Sequence, residues 1–223
     1  GVGGTPTFST DPTDAMTFSF DMADYYGYYD EPADYTFDLL GTVAEATVEG
    51  PASQHSSSQP LLFYHLLSQI NINVEFVNAD GSSATGSVSE VRLIADTDVE
   101  YTVGFDNSDN SENLDELLMV SSNSGERNSK QIVLEGSSGT INVVPQPAFS
   151  MELYLDFTLG SETDKVYFYD FKVDLTANGT PKDYLYNHSY NWNITIGPKG
   201  NVAFSVKVDP WKVSNVGDDI IIP

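Results

Sequence analysis

The chain has 223 residues, with 33 acidic side chains against 9 basic ones and a formal charge of −24, a balance that repels polyanions and excludes nucleic acid and anionic lipid as partners. It has no cysteine, so a disulfide framework, a thiolate metal site and a cysteine nucleophile are excluded as well. Stability must come from packing, and the 40% hydrophobic content with 13 Tyr, 12 Phe and 2 Trp favours pleated, half-buried surfaces over helices.

Residues 1–15 are Gly, Thr, Pro, Ser and Asp with little apolar content, a flexible arm too polar to bury a core. The chain opens Gly1-Val2-Gly3-Gly4 without an initiator Met, which suggests that a leader and anchor have been cut away. Order is expected from Met16, where Met16-Thr17-Phe18-Ser19-Phe20 alternates at period two like a strand with one buried face; Tyr35–Leu39 repeats the pattern. Between them lies an aromatic, acidic loop with Tyr25, Tyr26, Tyr28 and Tyr29. Edge packing is its plainer role; as a binding platform these tyrosines are the candidate glycan contacts, preferred over Trp211.

Residues 50–60 are polar and rich in breakers, a stretch of the kind that separates domains or crosses between sheets. Strand signals then become dense. Leu61–Tyr64 leads into Ile70–Phe76, an Asn78–Ser83 turn and Val88–Ile94, followed by Glu100–Phe105, Gln131–Leu134, Thr140–Val144, Ser150–Phe157, Lys165–Val173, Ser189–Ile196 and Val202–Val208. Many short strands with turns between them make the fold class all-β and the architecture a β-sandwich. One helix is predicted, over Glu112–Val120, where apolar residues recur at spacings of three and four after a capping Ser111. No run approaches the roughly 18 apolar residues of a membrane-spanning helix.

The chemistry of an enzyme is not legible. His55, His65 and His188 lack the short spacing of a zinc site and read as structural histidines. There is no Walker loop and no Gly-x-Ser-x-Gly elbow, and Gly136-Ser137-Ser138-Gly139 reads as a turn. Among 33 acids almost any carboxylate pair can be nominated, so none carries weight. The cluster Asp106–Glu116 places oxygen donors close together, but without a glycine at the sixth position it reads as a solvated loop and not as a Ca²⁺ site. The expectation is a non-enzymatic protein with no catalytic residue, cofactor or metal.

Three segments together carry a resemblance. They are Asp38-Leu39-Leu40 with Leu61–Ile72; Ile141-Asn142-Val143-Val144-Pro145-Gln146; and Tyr186–Ile196 followed by Val202–Val208 and Asp209-Pro210-Trp211. In order and distance they resemble the fimbrillin-like family, the pilus subunits and adhesins of Bacteroidales. In the first segment Gln69 stands where the family usually has a basic residue, and the part before residue 60 is shorter than usual.

The resemblance implies two transthyretin-like or immunoglobulin-like β-sandwich domains, the N-terminal one short or divergent: an arm over 1–15, a short β domain over 16–78 and a C-terminal sandwich over 79–223. It implies a lipoprotein exported to the cell surface, anchored to the outer membrane only through a removed leader or lipid. There it would serve as a fimbrial subunit or adhesin, joined to other pilus subunits by β-strand addition and contacting host or bacterial glycans or proteins. The rival reading is a surface lipoprotein that binds polysaccharide. At the C-terminus, Ile220, Ile221 and Ile222 follow a Gly-Asp-Asp turn. They are expected to form an added strand, in this subunit or in a neighbour, that stops at Pro223 for want of an N–H.

Overall fold

A computed structural model describes residues 16–21, 38–42, 63–103, 118–122, 127–147, 151–160, 166–172, 176–177, 180–181 and 183–211. Among them every regular element is a strand except a single 3-10 turn at Pro198–Gly200. The all-β expectation holds.

One four-stranded sheet is built from β4 (Ser68–Phe76), β9 (Ser138–Val143), β14 (His188–Ile196) and β15 (Val202–Pro210), in the order β15-β14-β4-β9. Period-two sequence makes these strands. In β4, Ile70, Ile72 and Val74 are buried while Asn73 and Glu75 are exposed, as alternation across a pleat requires. Strands β4 and β14 run parallel, Asn71 opposite Asn191 and Ile72 opposite Trp192, whereas β9 and β15 flank them antiparallel. Because β4 precedes residue 78 while β9 and β14 follow it, this sheet joins chain from both sides of that position.

A second sheet, β11-β10-β5-β8, is formed by β5 (Gly86–Asp96), β8 (Arg127–Gln131), β10 (Glu152–Leu159) and β11 (Val166–Lys172). Its ladder between β5 and β10 shifts register between Asp156 and Phe157, a bulge that leaves Ser89 as the extra residue. The two sheets close over one hydrophobic core: Ile70, Ile72, Ile141, Trp192 and Ile194 from the first cluster with Val91, Leu93, Leu153, Leu155 and Phe157 from the second. Phe76 and Phe157 meet edge to face across the layers, ring centroids 6.2 Å apart. Burying each such side chain contributes on the order of 1.5–3 kcal/mol.

A third sheet of three strands, β1-β6-β7, joins β1 (Met16–Asp21), β6 (Asp98–Val103) and β7 (Leu118–Ser122). Strand β5 ends at Asp96 and β6 begins at Asp98, so the chain changes sheet across the buried Thr97. The crossing is held by Gln146, whose Oε1 accepts from the Asp96 N–H at 3.1 Å and whose Nε2 donates to the carbonyls of Asp96 and Val144. Burial raises the Asp96 carboxyl from its ordinary value, and Arg127, 3.5 Å away, opposes that shift. Short pairs β2 (Leu40–Thr42) with β3 (Phe63–His65), and β12 (Thr176–Ala177) with β13 (Thr180–Pro181), complete the described strands.

Several boundaries differ from expectation. Residues 118–120, placed in a helix by their spacing, form strand β7, with Met119 opposite Thr102 and Val120 opposite Tyr101; the rest of that predicted helix lies outside the described residues. A short apolar run satisfies either period, and the open side of β6 decides for strand. Strand β8 ends at Gln131, where the expected strand begins, although the Ile132 N–H still reaches the Val91 carbonyl at 2.8 Å. In the expected strand at Tyr35–Leu39, Asp38 and Leu39 precede the ladder, which starts at Leu40; residues 35–37 lie outside the described set.

Candidate functional site

Two features of the described structure bear on function: the open edges of its sheets and a junction that ties three distant parts of the chain together. Backbone N–H and C=O groups on an edge strand are ready to pair with another chain. In the three-stranded sheet, β1 lies at an edge, joined antiparallel to β6 from Met16↔Val103 to Asp21↔Asp98, with no described strand on its other side. In the sandwich, the nine-residue β15 is an edge strand too, paired with β14 alone among the described strands.

Strand β6 is held by contacts besides its pairing with β1. Val99 and Tyr101 are buried in the main core, and the Tyr101 hydroxyl donates to the Leu66 carbonyl. Burial holds the Tyr101 phenol far above the usual tyrosine range, so it stays a neutral donor.

The junction centres on residues 65–68. The Leu66 N–H donates to the Leu39 carbonyl at 2.7 Å, the Asn187 N–H to the Leu67 carbonyl at 3.1 Å, and Ser68 Oγ to the Leu185 carbonyl at 2.8 Å. Beside this, His65 Nδ1 lies 2.7 Å from Asp38 Oδ2, and the His65 ring stacks on Trp211 with centroids 3.8 Å apart. Asn187, at φ 57°, turns the chain into β14 and accepts the Trp211 N–H at 2.9 Å. The arrangement clamps the end of β15 to the start of β4. It holds an acid, an imidazole and an indole, and the contacts of His65 among the described residues, a bond to Asp38 and a stack on Trp211, are those of a structural clasp.

Of the residues singled out from sequence, Tyr25, Tyr26, Tyr28 and Tyr29, the tail Ile220, Ile221 and Ile222, the acidic cluster 106–116, the arm 1–15 and His55 lie outside the described residues. His188 bonds through Nδ1 to the Tyr186 carbonyl at 2.8 Å, and Gly136, at φ 69°, makes the expected turn. Trp192 is fully buried, edge to face with Tyr184 and Phe204, and Trp211 is half-buried with one face covered by His65, so neither offers two open faces to a sugar. Sequence reasoning gave Gln146 and Asp38 no role of their own, although Asp38 opens the first of the segments that carry the resemblance. Gln146 stood in the Pro145-Gln146 motif, and that position was its one signal.

Comparison with known proteins gives similar solved structures and a family match. A crystal structure of a candidate cell adhesion protein from Bacteroides uniformis is similar to this chain with a TM-score of 0.50 at 19% identity, over 89% of this chain and 73% of that one. A candidate cell adhesion protein from Bacteroides ovatus matches at 14% identity and a TM-score of 0.37, over 95% of this chain and 75% of the other. The tip fimbrial protein Mfa3 of Porphyromonas gingivalis, truncated at its C-terminus, matches at 10% identity and a TM-score of 0.40, over 67% of this chain and 52% of that one. No curated protein sequence matches it. The family model described as Fimbrillin-like matches residues 8–211, and the chain belongs to that family.

Proposed function

We propose that this protein is a non-enzymatic fimbrial subunit or adhesin of the cell surface, assembled with other pilus subunits by β-strand addition. Membership of the fimbrillin-like family supports the fimbrial, surface-located role. Strand addition rests on one observation: β1 is an edge strand, while its partner β6 has its own anchors in the core, Val99 and Tyr101. Loss or displacement of β1 leaves β6 with a row of unpaired backbone groups. A strand from another subunit can pair there, main-chain bonds supplying affinity and side-chain alternation the register. The tail Ile220–Ile222 is the donor proposed from sequence. Export as a lipoprotein held at the outer membrane by a leader or lipid belongs to the same reading.

The test removes residues 1–21. The truncated protein, still folded by circular dichroism, is expected to capture a synthetic peptide of sequence Met16–Asp21 or to form oligomers on a sizing column, while the parent does neither. A truncated protein that stays folded, monomeric and blind to the peptide sinks strand addition at β6.

The second reading, a surface protein that binds polysaccharide, is favoured by Asn71, Asn73, Asn191 and Asn193, which β4 and β14 turn to the outward face of their sheet.

A further inference from the structure

Because side chains alternate across a strand, the core residues of β4 and β14 leave Asn71, Asn73, Asn191 and Asn193 on the outward face of their sheet. Parallel pairing sets Asn71 beside Asn191 and Asn73 beside Asn193. Their amides are joined, Asn71 Nδ2 donating to Asn191 Oδ1 at 3.2 Å and Asn73 Nδ2 to Asn193 Oδ1 at 3.4 Å. The outer strands extend the lattice: Thr140 Oγ1 donates to Asn71 Oδ1 at 2.9 Å from β9, and Asn191 Nδ2 donates to Asp209 Oδ2 at 3.1 Å on β15. In the next row Ser138 and Ser205 flank the two exposed amides, opposite Asn73 and Asn193 respectively.

A solvated sheet face does not require this composition. Asparagine is depleted in strands because its side chain competes for the backbone, and threonine, lysine or glutamate would keep the face wet at less cost in stability. Four asparagines on two adjacent central strands oppose local preference, and such conflicts concentrate where a protein does its work. The centre of the face is also free of net charge on a chain of charge −24: Lys207 is paired with Asp209 at 2.8 Å, and the remaining carboxylate, Glu75, lies toward the end of β4, where it accepts from Thr195 at 2.6 Å. The other sheet turns Glu90, Arg92 and Asp156 outward instead, with Arg92 over the Tyr154 ring.

We propose that this face binds a neutral polysaccharide chain laid across the strands. A sugar hydroxyl donates and accepts at once, and the amides of Asn73 and Asn193 with the hydroxyls of Ser138, Thr140 and Ser205 present both roles side by side. The mutual bonds of the inner amides order them before the ligand arrives, which lowers the entropic cost of binding. The row of Ser138, Asn73, Asn193 and Ser205 spans about 14 Å across the four strands, with the Thr140 row about 7 Å away along them, enough for two or three sugar rings. Acidic glycans are turned away by the net charge. The proposal uses the face of the sheet and not its edges, so it does not depend on strand addition.

Affinity electrophoresis of the full chain in native gels containing dextran, mannan or galactan, with chondroitin sulfate as the anionic comparison, tests it. At least one neutral polymer is expected to retard the protein and chondroitin sulfate is not. Asn73→Ala with Asn193→Ala should weaken retardation at least tenfold without changing the melting temperature, and Tyr26→Ala with Tyr28→Ala should leave it unchanged. If the double asparagine variant does not fold, Ser205→Lys, at an exposed edge-strand position, supplies the same reading by placing a long cation on the platform. Retardation by none of the neutral polymers, stronger retardation by chondroitin sulfate, binding that survives both variants of the face, or binding lost with the tyrosines overturns the proposal. Oligomer formation, read separately on a sizing column, reports on strand addition alone.

Discussion

The imidazole of His65 lies flat on the indole of Trp211, ring centroids 3.8 Å apart and planes 2° from parallel, while its Nδ1 holds Asp38 Oδ2 at 2.7 Å. One side chain thereby joins the segment before β2, the end of β3 and the end of β15. His65→Ala loses both contacts and is expected to cost about 1–3 kcal/mol. His65→Phe keeps a stacking surface and should recover part of that loss. Urea denaturation of the three proteins checks the order; equal midpoints would show that the clasp contributes nothing.

Tyr101 links stability to alkaline pH. Its buried hydroxyl donates to the Leu66 carbonyl, and burial raises its ionisation far above the usual range. Burial raises Tyr190 in the same direction. The unfolded chain releases a tyrosine proton near pH 10 while the native state keeps it, so this contribution is complete below about pH 10 and lost as pH rises further, by about 1.4 kcal/mol per pH unit for Tyr101. Tyr101→Phe should flatten that limb and, by leaving the Leu66 carbonyl without its donor, lower stability at neutral pH by about 1–2 kcal/mol. Denaturation midpoints between pH 8 and 11 measure both effects. An unchanged alkaline slope in the variant would rule out Tyr101 as the source.

Trp192 separates volume from hydrogen bonding. It fills the core, yet its Nε1 is buried with no hydrogen-bond partner among the described residues. Trp192→Ala is expected to cost about 3–5 kcal/mol through the cavity it leaves. Trp192→Phe removes the desolvated donor along with part of the ring and should cost less than half as much. Equal losses in the two variants, measured by chemical denaturation, would mean that the Nε1–H is satisfied in solution.

Deletion of residues 218–223 tests the tail. Each isoleucine of Ile220–Ile222 has roughly 1.5–3 kcal/mol to gain from burial, so the truncated protein should melt lower or fail to associate. A variant that melts and assembles like the parent, or a tail that exchanges its amide hydrogens as freely as an unstructured arm, removes it as a strand donor.

Much of the fold is legible in local pattern. The alternation Ile70-Asn71-Ile72-Asn73-Val74 specifies a strand and also which of its faces is buried, and Ser189–Ile196 does the same for β14. A period of two puts successive side chains on opposite faces whatever the neighbouring strand is. Glycine and asparagine mark the turns for a similarly local reason, as Gly81 and Gly136 do with their positive φ. Where the pattern is short and purely apolar, as at Leu118-Met119-Val120, it fits helix or strand equally, and the pairing with β6 decides.

What alternation does not encode is the partner. Nothing in β4 alone selects β14, from which it is separated by 120 residues at Asn71 and Asn191, because backbone pairing groups are the same in every strand and the choice rests on which apolar faces close one core together. The asparagine face follows from that choice, since four scattered asparagines become one lattice only when β4 and β14 lie parallel and in register. The same holds for Asp38, His65 and Trp211. Composition and spacing determined an acidic, cysteine-free, all-β chain with the strand pattern of its family, while tertiary packing decided which residues meet, because contacts between distant segments are set by the shared burial of faces that no local period specifies.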